Sequence, residues 1–304
     1  MRHHHRVHAH DLPLEDLLDN LYDGVYFVDR NRTITYWNRA AERLTGFTAS
    51  EVVEKSCAHT FLCHTDDHGR GFCAQGCPLQ AVIEGGGRRE AMVFLRHKDG
   101  HRVPVRVRAT PLRDARGDVV GAIEVFSGHS NAAELAERNT QLLRLGMLDP
   151  FTQIPNDRYL NRELALRLRE LQEVEIPFGV LLLTVNDLPD IVAKHGQAVA
   201  GRLLHIVAQT LVLVARSTEV VGRWSETQFL AIVPYATPSK LPSIADRFLG
   251  LVAASGIEVG GARLGASMTA GGTVAVEQDS VPSLLDRAHF PLSGGSTPPS
   301  SASG

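Results

Sequence analysis

The sequence lacks an excess of charge of either sign, which removes a common reason for binding nucleic acid or an anionic membrane. Its 304 residues carry a formal net charge of −3, with 21% charged and 43% apolar residues. It also lacks an unbroken apolar run of about 18 residues, and its His-rich start, residues 1–10, has no apolar segment like that of a signal peptide. We therefore expect a cytoplasmic protein with neither a nucleic acid nor a membrane as its partner.

Cysteine is scarce as well, and the few thiols are all close together. The chain has four cysteines, and all of them fall between residues 57 and 77. In a cytoplasmic protein, clustered thiols are more often metal ligands or redox groups than structural disulfides. The sequence therefore predicts that this segment has a single chemical task.

A metal centre is the favoured interpretation of the cysteine segment. The spacing is Cys-x5-Cys-x9-Cys-x3-Cys, with a histidine directly after the second cysteine. Four thiolates, or three with an imidazole, suit tetrahedral zinc, and the same thiolates could hold an iron–sulfur cluster. The absence of a tight CxxC pair and the nearby histidines favour zinc. The candidate metal ligands are Cys57, Cys63, His64, Cys73 and Cys77.

Two other interpretations of these cysteines stay open. Cys73 and Cys77 could form a reversible disulfide, which would make the segment a redox switch. All four thiols could also be small buried apolar side chains, since free cysteine packs well in a core. Haem is disfavoured, because no CxxCH attachment motif is present. The His-rich N-terminus, residues 1–12, is expected to be disordered, although its histidines could instead form a metal-binding tail.

Short strand and helix patterns alternate in the first half of the chain. Residues 24–29 and 33–37 are β-rich runs that predict a hairpin, and Asn38 then caps an amphipathic helix that stops at Gly46. Beyond the cysteines, three further strand patterns are separated by residues typical of turns. They cover residues 90–97, 102–111 and 119–126. The order predicts a five-stranded antiparallel sheet with helical segments on one face.

Residues 13–128 resemble the PAS sensor domains. The resemblance is carried by DGVYFVD at residues 23–29, ITYWNRAAERLTGF at 34–47 and RHKDGHRVPV at 96–105. One PAS subgroup that looks like this segment has an early cysteine in its central helical region, an HxDxxG stretch and a CxxxCPL ending. The resemblance implies a sensor whose helical region holds its ligand. The NCRFLQ-like motif of light-sensing PAS domains is missing, which disfavours flavin.

A helical pattern at residues 129–148 connects the two halves of the chain. Leu135, Leu142 and Leu145 have spacing compatible with heptads. A plain connecting helix would give the same short pattern. Its position between a sensor and a second domain favours a signalling helix, so we expect a homodimer formed through this helix and the PAS domain.

The second half alternates between helix and strand patterns, as in an α/β domain with a central sheet. Residues 178–185 form a continuous apolar run typical of a buried strand. A second strand is predicted at residues 229–233 and a last one at 267–275. The helices are predicted at residues 159–171, 201–215 and 239–254. From residue 292 the chain is rich in Ser, Gly and Pro, which predicts a disordered tail.

Residues 149–291 resemble the GGDEF family of diguanylate cyclases. Their opening block, DxLTxLxNR, corresponds to DPFTQIPNDR at residues 149–158, with Asp157 as an extra residue. The resemblance implies a domain built to join two GTP molecules into cyclic di-GMP. That reaction needs carboxylates that hold divalent metal against the phosphates. The lysine-bearing last helix and GRN ending of the family are missing here.

The residues that carry the family's chemistry are replaced. Thr184 stands where the first buried strand normally ends in a metal-binding carboxylate. In the signature turn, aligned on its flanking Arg and Phe, Ser225 and Glu226 replace the two glycines, and Thr227 and Gln228 replace the two acidic residues. We therefore predict a domain without catalytic activity that serves as a binding or interaction module, with a protein as its possible partner.

In two alternative interpretations the second domain still binds a nucleotide. Glu226 and Asp187 could rebuild a metal site, which would make the protein a divergent active cyclase. Arg216 and Glu219 match the spacing of the family's RxxD inhibitory site, so cyclic di-GMP or GTP could be a regulatory ligand there. A solvated surface pair at a helix end would give the same RxxE pattern.

Overall fold

The computed structural model describes residues 13–57, 61–73, 76–128, 140–290 and 292. The chain folds into two compact units, one made mainly of residues before 130 and the other mainly of residues from 130 onward. The predicted disorder of residues 1–12 and of the C-terminal tail from residue 293 onward concerns segments outside the described residues.

The first unit contains the predicted five-stranded antiparallel sheet. Its strand order is β2-β1-β5-β4-β3, which places the first and last strands of the unit side by side at the centre. In this register Tyr26 of one central strand lies opposite Glu124 of the other. The strands are β1 (Gly24–Asp29), β2 (Ile34–Trp37), β3 (Arg89–Arg96), β4 (Arg102–Arg113) and β5 (Val119–Gly128).

Four short helices connect and flank these strands in the described part of the unit: α1 (Leu14–Asp19), α2 (Arg39–Thr45), α3 (Ala49–Val52) and α4 (Pro78–Gly85). Asn38 caps α2 as predicted, since its side chain accepts a hydrogen bond from the backbone of Ala41. Gly46 ends α2 with a φ of 75°, a left-handed conformation that glycine adopts without steric cost. Cys77 directly precedes α4, whose first residue is a proline.

The second unit has a four-stranded sheet of order β11-β6-β8-β7 and a separate two-stranded hairpin, β9-β10. The strands are β6 (Phe178–Val185), β7 (Val220–Arg223), β8 (Gln228–Pro234), β9 (Ile257–Val259), β10 (Ala262–Leu264) and β11 (Met268–Val274). The helices are α5 (Asp157–Val174), α6 (Leu188–His195), α7 (Gln197–Val214), α8 (Leu241–Ala253) and α9 (Val281–Ala288). A last helix is thus present, although it contains no lysine.

The hydrophobic core of the second unit includes a cluster shared by α5, α9 and the sheet. Leu160, Leu164 and Leu168 follow one another at helical spacing on α5 and are buried. They belong to the same cluster as Leu182 of β6 and Leu284 of α9. The cluster also includes Leu230 of β8, so the two helices pack against both inner strands of the sheet.

Helix α7 is long and apolar enough to cross a membrane by length and composition alone. Half of it is buried inside the protein. Leu203, Val207 and Leu211 are among its fully buried residues, at the spacing of a helix face that packs on a core. A core helix of a globular domain has these same properties.

The helix between the two halves is described only from residue 140, and it ends after residue 144. Leu142 is buried within this chain, whereas Leu145 lies beyond the helix and is 57% exposed. The predicted stripe through these two leucines is therefore wrong, because one of them is already packed and the other is not helical. Leu135 lies outside the described residues.

Candidate functional site

The signature turn of the second unit is the tight connection between β7 and β8. The backbone amides of Trp224 and Ser225 both donate to the carbonyl of Gln228, at 2.8 and 3.1 Å. Arg223 donates from Nε to the carbonyl of Ser225 and from Nη2 to that of Glu226, at 3.1 and 3.0 Å. These hydrogen bonds close the turn, and the side chains of Ser225 and Glu226 are exposed to solvent.

Thr184 and Gln228 face each other across the neighbouring strands. They are paired in the register of β6 and β8, and Nε2 of Gln228 donates to Oγ1 of Thr184 at 3.3 Å. The carbonyl of Thr227 accepts from the amide of Val185 at 2.8 Å. A neutral amide and a hydroxyl thus lie where β6 ends and β8 begins. Neither of them supplies the negatively charged oxygen by which proteins hold Mg²⁺.

Asp187 lies two residues beyond β6 and precedes α6. Its Oδ2 accepts from the amide of Ser267 at 3.0 Å, while its Oδ1 is buried and has no hydrogen-bond partner in the described part of the chain. Glu226 lies in the turn between β7 and β8 and is exposed. The described residues contain no group of three ligating side chains within 4.8 Å of one another that includes either carboxylate.

Asp149 belongs to the opening block of the domain and contacts the signature turn. Its Oδ1 accepts from the amide and the hydroxyl of Thr152, at 2.7 and 2.6 Å, and lies 3.3 Å from Nη1 of Arg223. Burial raises the pKa of Asp149, but the Thr152 hydrogen bonds and the Arg223 charge outweigh it and lower the pKa below its usual value. Asp149 therefore helps to fix Arg223, and through it the turn.

Arg216 and Glu219 are brought together, but their side chains point to different surroundings. The Arg216 amide donates to Oε2 of Glu219 at 2.8 Å, while the Arg216 side chain belongs to an exposed residue. The Glu219 carboxylate is buried and accepts hydrogen bonds from Arg247 of α8. A nucleotide would have to displace this ion pair to reach Glu219, whereas Arg216 is accessible. Sequence reasoning missed Arg247, which carries no motif.

The structure separates the four cysteines of the first unit into two kinds. Cys57 and Cys77 are buried, while Cys63 and Cys73 are half-buried. Burial raises the pKa of Cys57 well above its usual value, and the nearby acidic groups of Glu124, Cys77 and Cys73 raise it further. These residues therefore share one neighbourhood inside the unit.

The predicted metal ligands are gathered in the same region, but not at metal-binding distances. Among Cys57, Cys63, His64, Cys73 and Cys77, all of which the structure describes, no three ligand atoms lie within 4.8 Å of one another. His64 is 5% exposed and its ring faces the sheet residue Glu124. Binding a tetrahedral ion would require the thiols to move closer together.

Glu124 is a functional candidate that the sequence reasoning missed. It is fully buried in β5, where its Oε1 accepts from the hydroxyl of Tyr26 at 2.9 Å and lies 3.7 Å from Nε2 of His64. Its Oε2 is buried and has no hydrogen-bond partner among the residues that the structure describes. Burial raises the pKa of Glu124 to about 7, although the Tyr26 hydrogen bond lowers it. The available signal was strand alternation, which puts Glu124 in phase with buried Ala122 and Phe126.

Two family models match the chain. The PAS fold matches residues 14–127, and the diguanylate cyclase GGDEF domain matches residues 146–293. The chain is a PAS domain followed by a GGDEF domain. The mixed architecture predicted from the sequence, an antiparallel PAS sheet followed by an α/β GGDEF domain, is thereby confirmed.

Curated relatives of this PAS–GGDEF chain are much longer than the chain itself. The probable diguanylate cyclase DgcE of Escherichia coli K12 is 21% identical over 238 residues, which cover 77% of this chain and 21% of that protein. MucR of Pseudomonas aeruginosa, a bifunctional diguanylate cyclase and cyclic di-GMP phosphodiesterase, is 21% identical over 118 residues, or 39% of this chain and 17% of MucR. The chain thus matches about a fifth of each relative's length.

Solved structures of GGDEF proteins resemble the second half of the PAS–GGDEF chain. Diguanylate cyclase SiaD from Pseudomonas aeruginosa, in complex with its activator SiaC, is 22% identical, with 52% of this chain and 64% of that chain covered and a TM-score of 0.46. The FimX GGDEF domain from the same organism is 20% identical, with 47% and 89% covered and a TM-score of 0.44.

Proposed function

We propose that this protein is a sensory regulator of cyclic di-GMP signalling whose GGDEF domain makes no cyclic di-GMP. The observation that carries the proposal is the hydrogen bond between the neutral side chains of Gln228 and Thr184. It lies where β6 ends and β8 begins, which is where the family places metal-binding carboxylates. Without those charges, a divalent cation has no anchor there, and the charge that develops on the transferred phosphate stays unstabilised.

The signature turn supports the same proposal. In the family, two glycines leave room for close approach of a nucleotide to the backbone. Here both positions carry side chains, and Arg223 occupies the turn carbonyls of Ser225 and Glu226. A GTP molecule would therefore meet a turn that is already closed on itself.

A GGDEF domain without chemistry is best used as a binding or interaction module. The crystal structure of SiaD with its activator SiaC is a case in which a GGDEF protein has a protein partner. We propose a protein partner for this domain as well, in a homodimer whose PAS domain provides the sensory input.

The decisive experiment is incubation of the purified full chain with GTP and Mg²⁺ or Mn²⁺, followed by mass-spectrometric detection of cyclic di-GMP. We expect no product. Steady turnover would contradict the proposal. Loss of that turnover in the Asp187→Asn and Glu226→Gln variants would then assign the activity to a rebuilt metal site. The matched control is Asp190→Asn, an exposed carboxylate on α6.

For the PAS domain we propose a metal centre, with zinc as the ion and Cys57, Cys63, His64, Cys73 and Cys77 as its candidate ligands. The observation that favours it is that two of the thiols, Cys57 and Cys77, and the imidazole of His64 are all buried in the first unit. Thiolate sulfur and imidazole nitrogen are donors that structural zinc sites use, and such sites are closed to solvent. When bound, zinc would hold these thiolates together and so couple the cysteine segment to the fold.

Elemental analysis and an absorption spectrum of anaerobically purified protein test the metal centre. We expect a colourless protein with stoichiometric zinc. A brown protein with iron and sulfide would replace zinc by an iron–sulfur cluster. A protein with neither would leave the cysteines as thiols and overturn the metal centre.

A further inference from the structure

The PAS core contains a carboxylate oxygen that the fold leaves without a partner. Glu124 is fully buried, and while Tyr26 satisfies its Oε1, its Oε2 makes no hydrogen bond within the described structure. A buried polar atom without a partner costs free energy, and a charged one costs more. An apolar residue at this position of β5 would avoid that cost. The presence of a carboxylate is explained if Oε2 binds a ligand, which would offset the cost.

The groups near Glu124 are of the donor types that a borderline divalent cation accepts, although no three of their ligand atoms lie within 4.8 Å of one another in the described structure, so the thiols would move closer to the carboxylate on binding. Nε2 of His64 lies 3.7 Å from Oε1 of Glu124 and is itself buried. The buried thiol of Cys57 is close enough to Glu124 and Cys77 for their charges to interact. Carboxylate oxygen, imidazole nitrogen and thiolate sulfur are the three donor types that zinc accepts.

We propose that Glu124 is a ligand of the PAS metal centre and binds the ion through Oε2, from strand β5 rather than from the cysteine segment. The proposal rests on the metal centre proposed above and adds to it a residue outside the cysteine motif. It also distinguishes between the two kinds of metal centre, a single ion and an iron–sulfur cluster. Iron–sulfur clusters are held by thiolates, whereas a carboxylate in the ligand set favours a single Zn²⁺ or a similar divalent ion.

A ligand on β5 has a mechanical consequence that a site made only of loop cysteines lacks. β5 is a central strand, paired with β1 on one side and β4 on the other. An ion bound to Glu124 and to Cys57 and Cys77 would join this strand to the segment that enters α4. Loading or loss of the ion would therefore act directly on the sheet.

The test uses the full chain, stripped of metal by a chelator and titrated with Co²⁺ in place of Zn²⁺. Cobalt bound to thiolate gives a charge-transfer absorption in the near ultraviolet, which the His-rich start of the chain does not produce. We expect Glu124→Gln to weaken the Co²⁺ affinity read from this band by about tenfold or more, since even an outer-shell partner is worth about that much. Glu84→Gln, an exposed carboxylate on α4, should match the wild type.

The outcomes separate the two proposals. A wild type without the thiolate band would overturn the metal centre itself. A Glu124→Gln variant with wild-type affinity would overturn the Glu124 ligand and leave the thiolate centre standing. X-ray absorption of the zinc-loaded wild type gives a second test that is independent of the variant's folding. We expect oxygen or nitrogen neighbours beside sulfur, and a shell of sulfur alone would contradict the proposal.

Discussion

Arg247 donates from Nη2 to both carboxylate oxygens of Glu219, at 2.7 and 2.5 Å, and both side chains are almost completely buried. The pair ties α8 to the turn that enters β7. Glu219 also accepts from the backbone amide of Arg216, which closes that turn. A residue selected from the sequence as a nucleotide contact is therefore part of the internal framework of the GGDEF domain.

Removal of the cation from this pair should destabilise the GGDEF domain strongly. We expect Arg247→Met to lower the free energy of unfolding by about 3–5 kcal/mol, because it leaves a buried carboxylate without a countercharge. Denaturant unfolding followed by Trp224 fluorescence, in a Trp37→Phe background, measures the effect, since the chain has two tryptophans. Arg216→Ala, at an exposed position, should change stability by less than about 0.5 kcal/mol. Equal losses in both variants would contradict this assignment.

The proposal that Thr184 and Gln228 leave the domain without a Mg²⁺ site can be tested by placing carboxylates at both positions. In Thr184→Asp combined with Gln228→Glu, two carboxylates would face each other across β6 and β8. Their repulsion should lower the melting temperature without Mg²⁺, and Mg²⁺ should then raise it by binding between them. The wild type should show no such Mg²⁺ effect, and a matching shift in the wild type would show that the domain already holds the ion elsewhere. Thermal unfolding with and without Mg²⁺ provides the comparison.

The Asp149 contacts predict a defined pH dependence. The pKa of Asp149 is lower in the folded domain than in the unfolded chain, so its ionised form stabilises the fold. That contribution is complete above the unfolded pKa of about 3.9 and is lost as the pH falls through the folded pKa. Urea unfolding should therefore show that Asp149→Asn is destabilising near neutral pH and progressively less so below about pH 4. A stability difference that is constant with pH would count against the ionic role.

The elements that the sequence predicted well are those with a strong pattern of burial. β6 was predicted with the observed bounds because it is apolar at nearly every position, as expected for a strand covered on both faces. β7 and the β9-β10 hairpin were missed, since strands of three or four residues are too short to show alternation.

The candidate site residues also divide into those with a local pattern in the sequence and those without one. Glu124 was recoverable, because alternation along β5 places it on the buried face with Ala122 and Phe126. Arg247 was not, because it lies 28 residues beyond Glu219 and nothing local in the sequence connects the two. Contacts that depend on how distant helices pack carry no signal in a single sequence.

Burial predicts two classes of thiol reactivity in the metal-free PAS domain. Cys63 and Cys73 are half-buried and should be alkylated first, whereas Cys57 and Cys77 are buried and should react slowly. Cys57 should be the slowest, because the thiolate is the reactive form and burial next to Glu124 raises the pKa of this thiol. Peptide mass spectrometry of samples quenched over time assigns a rate to each cysteine.

The control for this experiment is the same labelling in denaturant, where all four cysteines should react at similar rates. Glu124→Gln should speed the labelling of Cys57, because the variant removes a neighbouring negative charge while keeping the side-chain volume. The reaction of Cys77 is the internal reference for any general loosening of the core, which would accelerate both buried thiols together. Labelling of Cys57 as fast as Cys63 in the native wild type would contradict the buried arrangement from which the metal centre and its carboxylate ligand are inferred.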